Sequence, residues 1–206
     1  MQLQLQVGPQ IVQDGVPATM RGGKSAEAIV TELNGRYYEQ VYRGNTFTAA
    51  TQAGVAITNL ATTATGFILS NPAGSGKNLV LLEIALAQTS TAAAAANAAI
   101  VLAANINPVA TAVVHTTPLT IQPALLGGTA GSVAKADSAA TLPVAPSVVR
   151  VLWQPSVSAT ATTAIPPYVK DEVAGALAIA PGCAVSLSAF SAVSAIAHFT
   201  WAELPI

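Results

Sequence analysis

Charge is what this chain has least of. Only 8% of its 206 residues are Asp, Glu, Lys or Arg, against roughly 25% in ordinary soluble domains. From Ile84 to Ala134 there are none. A free monomer so sparsely charged is poorly protected against association. Much of its surface is therefore expected to meet other protein. The net charge is -1, with no basic run. Non-specific nucleic-acid binding works through Lys and Arg neutralising phosphates, so nucleic acid is not an expected partner. Cysteine is nearly absent too: Cys183 stands alone, which excludes an intrachain disulfide and a Cys-based zinc cluster. It reads as a small buried hydrophobe.

What the chain does have is small apolar residues. Hydrophobic types reach 52% with aromatics at only 5%, and much of the remainder is Ala. The Ala-rich stretch Ala92 to Leu102 is interrupted by Asn97 and preceded by Gln88, Thr89, Ser90 and Thr91. It falls short of the roughly 20 apolar residues a membrane span needs, so no membrane is expected. The N-terminus alternates polar and apolar and lacks the basic start and apolar block of a secretory signal.

The length suits one core plus an arm. Residues 1–26 read as an extended N-terminal arm, because Gly8-Pro9, Asp14-Gly15, Pro17 and Gly22-Gly23 punctuate it too often for a helix. It either adds a strand to a neighbouring sheet or is a flexible tail. Residues 27–206 read as a single β-sandwich domain with long loops around 89–147. Asn34-Gly35, between Ala28–Leu33 and Arg36–Tyr42, signals a two-residue hairpin. Its second arm carries Arg36, Tyr37, Tyr38, Glu39, Tyr42 and Arg43. Tyr and Arg are enriched at interfaces, so these six are the candidate protein-interface residues.

Phe67 to Gln88 reads as a short strand, a tight polar loop and a long strand. Within it Gly74-Ser75-Gly76-Lys77 imitates a phosphate-binding loop. That motif needs Gly at the position of Asn71 and Ser or Thr at that of Asn78, and it must open a helix. Leu79 to Ile84 instead suits a pleated strand, so the glycines are expected to shape a turn. In the long strand Val80, Leu82, Ile84 and Leu86 are expected on one face and Leu79, Leu81, Ala85 and Ala87 on the other. Short strands are also expected in Thr46–Thr58, from Ile100, in Ala112–His115 and in Val148–Trp153. Thr89–Asn97 is open between a short helix and a loop, and Ala159–Pro167 reads as a loop. Leu177–Ala180 and Val185–Ser188 flank a Pro181-Gly182 turn. Val193, Ala195, Ala197, Phe199 and Trp201 share one face of a final strand. Many short strands with Gly/Pro turns indicate an all-β sandwich, barrel or jelly roll.

Chemistry-bearing motifs are scarce. His115 and His198 have no further metal ligand at useful spacing and read as ordinary sheet histidines. Asp171-Glu172 would point to opposite faces of a strand. Ser75 fails the Gly-x-Ser-x-Gly pattern, because Ala73 takes the first Gly position. No catalytic, cofactor or metal residue is assigned, and a non-enzyme is expected.

Three stretches resemble virion structural proteins of tailed bacteriophages: Asn34-Gly35-Arg36-Tyr37-Tyr38-Glu39 through Arg43-Gly44-Asn45-Thr46-Phe47, Leu69 through Leu79, and Ala180-Pro181-Gly182 with Trp201-Ala202-Glu203-Leu204-Pro205. The resemblance implies a jelly-roll-like β-sandwich on the surface of a capsid, reached from the host cytoplasm during assembly. It implies a decoration or cement protein that stabilises the major capsid protein lattice as a trimer or dimer. A tail, collar or baseplate component is the alternative, and a carbohydrate-binding or hydrolytic β-sandwich a third reading.

Overall fold

In the computed structural model, residues 5–6, 20–21, 35–89, 99–106, 113–153, 168–190 and 193–206 are described. The chain divides into two compact units, Met1–Glu39 and Gln40–Ile206. In the first, β1 (Leu5–Gln6) pairs in parallel with β2 (Met20–Arg21), so the arm expected to run extended returns on itself at that point. The rest of the arm and the first half of the expected hairpin lie outside the described residues.

The second half of that hairpin is not a strand. Gly35 O accepts from Tyr38 N at 2.9 Å, and the chain continues as α1 (Tyr38–Tyr42). The Asn-Gly signal is local. It specifies a reversal but not a sheet for the following residues to join. Here the reversal closes into a helical turn, which places Tyr38 and Tyr42 one turn apart on one face.

The second unit is a β-sandwich of antiparallel strands. Its strands are β3 (Thr46–Ala50), β4 (Val55–Ile57), β5 (Thr63–Ser70), β6 (Lys77–Gln88), β7 (Ile100–Ile106), β8 (Val114–Pro118), β9 (Ile121–Pro123), β10 (Lys135–Thr141), β11 (Ser147–Trp153), β12 (Tyr168–Asp171), β13 (Ala178–Ile179), β14 (Cys183–Ala189) and β15 (Val193–Pro205). One sheet runs β11-β7-β14-β5-β10-β8. The other runs β12-β6-β15-β3-β9, with β13 on β6 and β4 on β15. The sheets hold more strands than the eight of a jelly roll. The expected long-loop region 89–147 carries four strands, β7 to β10. Two of its prolines close strands, Pro118 at the end of β8 and Pro123 at the end of β9, while Pro143 and Pro146 lie in the loop between β10 and β11. Residues 90–97, open between a short helix and a loop, and the expected loop Ala159–Pro167 lie outside the described residues.

The core lies between the two sheets. Phe67 of β5 stacks on Phe199 of β15 with ring centroids 4.2 Å apart. Val193, Ala195, Ala197, Phe199 and Trp201 all enter this core, as their alternation predicts. β6 departs from its expected alternation. Thr200 pairs with Glu83 but Trp201 with Leu81, so Leu82 is a bulge. A bulge inserts one unpaired residue and re-aims the strand. Leu79 and Leu81 therefore share the core with Ile84 and Leu86 instead of opposing them. The bulge is braced from outside by Ala174 N to Leu82 O and Gly175 N to Leu81 O, both 2.8 Å.

Candidate functional site

The false phosphate loop resolves as turn geometry. Gly74 and Gly76 sit at φ +78° and +70°, a region open to glycine, and Lys77 begins a strand rather than a helix. Asn71 is a structural tie. Its Nδ2 donates to Lys77 O at 2.7 Å and to Ile179 O at 2.8 Å. Its backbone exchanges hydrogen bonds with Cys183 O and Gly182 N. It thus clamps the β5–β6 loop to Ala180–Gly182, where the chain crosses from β13 in one sheet to β14 in the other.

Lys77 leads to the more consequential group. Its Nζ lies 3.1 Å from Glu203 Oε2. Glu203 is completely buried near the end of β15. Its Oε1 accepts from Ser132 Oγ at 2.5 Å, Val133 N at 3.0 Å and Ala134 N at 3.4 Å. One carboxylate thus fixes the segment before β10 onto the other sheet.

That segment is one wall of a cleft of about 470 Å³. Pro118, Leu119 and Ile121 also line it, at the corner where the chain passes from β8 to β9 and from one sheet to the other. Leu119, Ile121, Ala130 and Ala134 give the cleft an apolar lining, and His115, Lys135 and Asp137 stand in it. Asp137 is completely buried, and its Oδ2 is 2.6 Å from His115 Nδ1. Among the described residues the imidazole is its only hydrogen-bond partner, and Oδ1 has none. The acceptor on the Nδ1 side places the neutral ring's proton there and leaves Nε2 as a lone pair. Among the described residues Asp137 and Glu203 are the charged groups that are buried. Burying a carboxylate is costly unless it is paired and hydrogen-bonded, and both buried carboxylates shape this one cleft.

The sequence pointed elsewhere. Of the candidate interface residues, Arg36 and Tyr37 come together, with the guanidinium carbon 5.6 Å from the ring centroid. Tyr38 and Tyr42 are exposed on α1, at 48% and 61%. Glu39 lies in the first turn of α1, and Arg43 in the turn that follows it. Cys183 is half-buried rather than buried. His198 is an ordinary sheet histidine, its Nε2 2.7 Å from Thr48 Oγ1 and 3.2 Å from Thr200 Oγ1. Burial holds its pKa below the usual value, against the opposing pull of Glu83. The cleft residues escaped motif reading, although one signal was present. Lys135 and Asp137 are the first charges to return after the uncharged stretch from Ile84 to Ala134.

The far side of the sandwich is different. There β11 and β12 are the outer strands of their sheets among the described residues. Arg150 bridges them to Asp171 with Nε–Oδ2 at 2.7 Å and Nη2–Oδ1 at 2.9 Å. Around that pair stand exposed Val148, Val149, Val151 and Tyr168, the last two at 68% and 65%. An apolar cleft of about 310 Å³, lined by Ala104, Ile106, Val149, Leu177 and Cys183, opens beside them. No described helix is long and apolar enough to cross a membrane, and the described residues hold no metal-ligating cluster. Compared with protein-family models, with curated proteins and with solved structures, the chain matches none.

Proposed function

We propose that this protein is a non-enzymatic structural component of a tailed-phage virion. In this reading it is a decoration or cement protein that binds the major capsid protein lattice as a homo-oligomer. The observation that supports it is the β11–β12 side of the sandwich. Among the described residues β11 is a seven-residue outer strand with three exposed valines and neither Pro nor Lys, an edge of the kind monomeric proteins avoid. It is suited to pairing with another chain through backbone hydrogen bonds and apolar burial. The low charge of the whole chain and its resemblance to virion proteins point the same way.

Quantitative analysis of purified particles tests the reading. The protein should be present at a copy number proportional to the major capsid protein. A handful of copies per particle would place it in a tail, collar or baseplate instead. Val151→Lys should leave the melting temperature within a few degrees and abolish attachment. Undiminished attachment of that variant would refute the assignment of the edge.

A further inference from the structure

The cleft beside β8 is on the opposite edge of the sandwich and is built differently. Its lining is apolar, through Leu119, Ile121, Ala130 and Ala134. Its polar groups are few and held in place. Lys77, Lys170 and Arg150 each have a carboxylate partner. Lys135 lines the cleft and has no such partner among the described residues. His115 is oriented by Asp137 through Nδ1, so the Nε2 of the neutral ring presents an acceptor. The volume, about 470 Å³, falls within the roughly 300–1,000 Å³ of small-molecule sites. Both anchors of the walls, Glu203 and Asp137, are already in place, so a ligand need not order them.

We propose that this cleft binds a small hydroxy acid with an apolar body. Its carboxylate pairs with the Lys135 ammonium, its hydroxyl donates to His115 Nε2, and its body lies against Leu119 and Ile121. Asp137 acts as a positioning residue, holding the imidazole in the tautomer that accepts. The site is independent of attachment to a particle, because it uses the other edge of the sandwich.

The test uses the full chain and the three hydroxybenzoate isomers, which differ in the separation of hydroxyl and carboxylate. Binding is followed by calorimetry and by NMR shifts of the Leu119 and Ile121 methyls. One isomer should bind with a dissociation constant on the order of millimolar. The matching hydroxybenzamide, which lacks the charge, should bind about tenfold more weakly, and benzoate, which lacks the hydroxyl, about fivefold. The losses should be specific. Lys135→Gln should erase the difference between acid and amide, and His115→Ala the difference between hydroxybenzoate and benzoate. Lys135 is exposed, so its variant should fold normally and keeps the test valid if His115→Ala does not. Saturable binding by none of the isomers would overturn the proposal. So would amide binding equal to acid binding, or variants that bind every probe like the native protein.

Discussion

Replacing Glu203 gives a prediction whose size follows from the geometry. Glu203→Ala removes the acceptor for Ser132 Oγ and for the Val133 and Ala134 amides. Each buried donor left without a partner costs about 1–3 kcal/mol. Lys77, with its side chain 32% exposed, can turn to water and adds little. The Ala134 amide keeps Ser132 Oγ as an acceptor at 3.1 Å, so two donors are stranded and the sum is about 2–6 kcal/mol. At about 2–4 °C per kcal/mol for a domain of this size, the melting temperature should fall by about 4–24 °C. Glu203→Gln keeps the shape and one acceptor oxygen but turns an amide NH2 toward Lys77, for about 2 kcal/mol by the same reasoning. Lys77→Ala removes only a partly exposed ion pair, worth about 0–1 kcal/mol. Thermal unfolding followed by tryptophan fluorescence should therefore rank the losses Glu203→Ala, then Glu203→Gln, then Lys77→Ala. If Lys77→Ala cost as much as Glu203→Gln, the ion pair and not the amide cage would be what matters. If Glu203→Gln melted within 1 °C of the native protein, the whole account of the anchor would be wrong.

Asn71→Ala should cost about 2 kcal/mol in urea unfolding, because Ile179 O loses the Asn71 amide and Lys77 O keeps only the longer bond from Ser75 Oγ among side-chain donors; an unchanged midpoint would show that the clamp is dispensable. Gly66 lies at φ +118°, and an added Cβ would stand 3.2 Å from the Ile57 side chain, so Gly66→Ala should lower stability by about 1–3 kcal/mol. His198 titrates lower in the folded protein than in the unfolded chain. The unfolded state then binds more protons just below the ordinary value of about 6.5, so this group's contribution to stability is lost as pH falls through that window. Melting temperatures from about pH 7 down to about 5 should fall less steeply in His198→Gln than in the native protein; parallel curves would refute the burial effect.

How much of this was written in the sequence depends on which interactions are local. The alternation from Val193 to Trp201 placed five side chains in the core correctly, because β15 stays regular across those residues. β6 defeated the same rule at Leu82. A bulge depends on the partner strands and on the bracing from Ala174 and Gly175, which lie some ninety residues away. Pro118 and Pro123 end β8 and β9, and proline excludes itself only from the interior of a sheet. At strand ends the same residue is compatible with pairing. The cleft was invisible for a related reason. His115 and Asp137 are 22 positions apart and meet only because β8 lies beside β10 with two register shifts. Glu203 reaches Ser132 across 71 positions. Spacing rules find ligands on one element; they do not find groups that a sheet brings together.

The scarcity of charge that opens the sequence has a consequence for the two edges. On the β11–β12 side the bidentate Arg150–Asp171 pair and the contacts of Lys170 with Glu83 and Glu172 stand beside exposed valines. Fully burying a valine side chain is worth about 1.5–3 kcal/mol, whereas exposed ion pairs contribute about 0–1 kcal/mol. The proposed association through that edge should therefore be governed by apolar area and backbone pairing, which screening does not weaken. The cleft beside β8 has the opposite balance. Lys135, which has no carboxylate partner among the described residues, is exposed, and a charge in that position is screened within about 8 Å at physiological ionic strength. Raising the salt should weaken hydroxy-acid binding while leaving attachment intact. Ionic strength thus separates the two edges by the forces each uses, and a single salt titration that released the protein from its particle without touching the cleft would reverse both assignments.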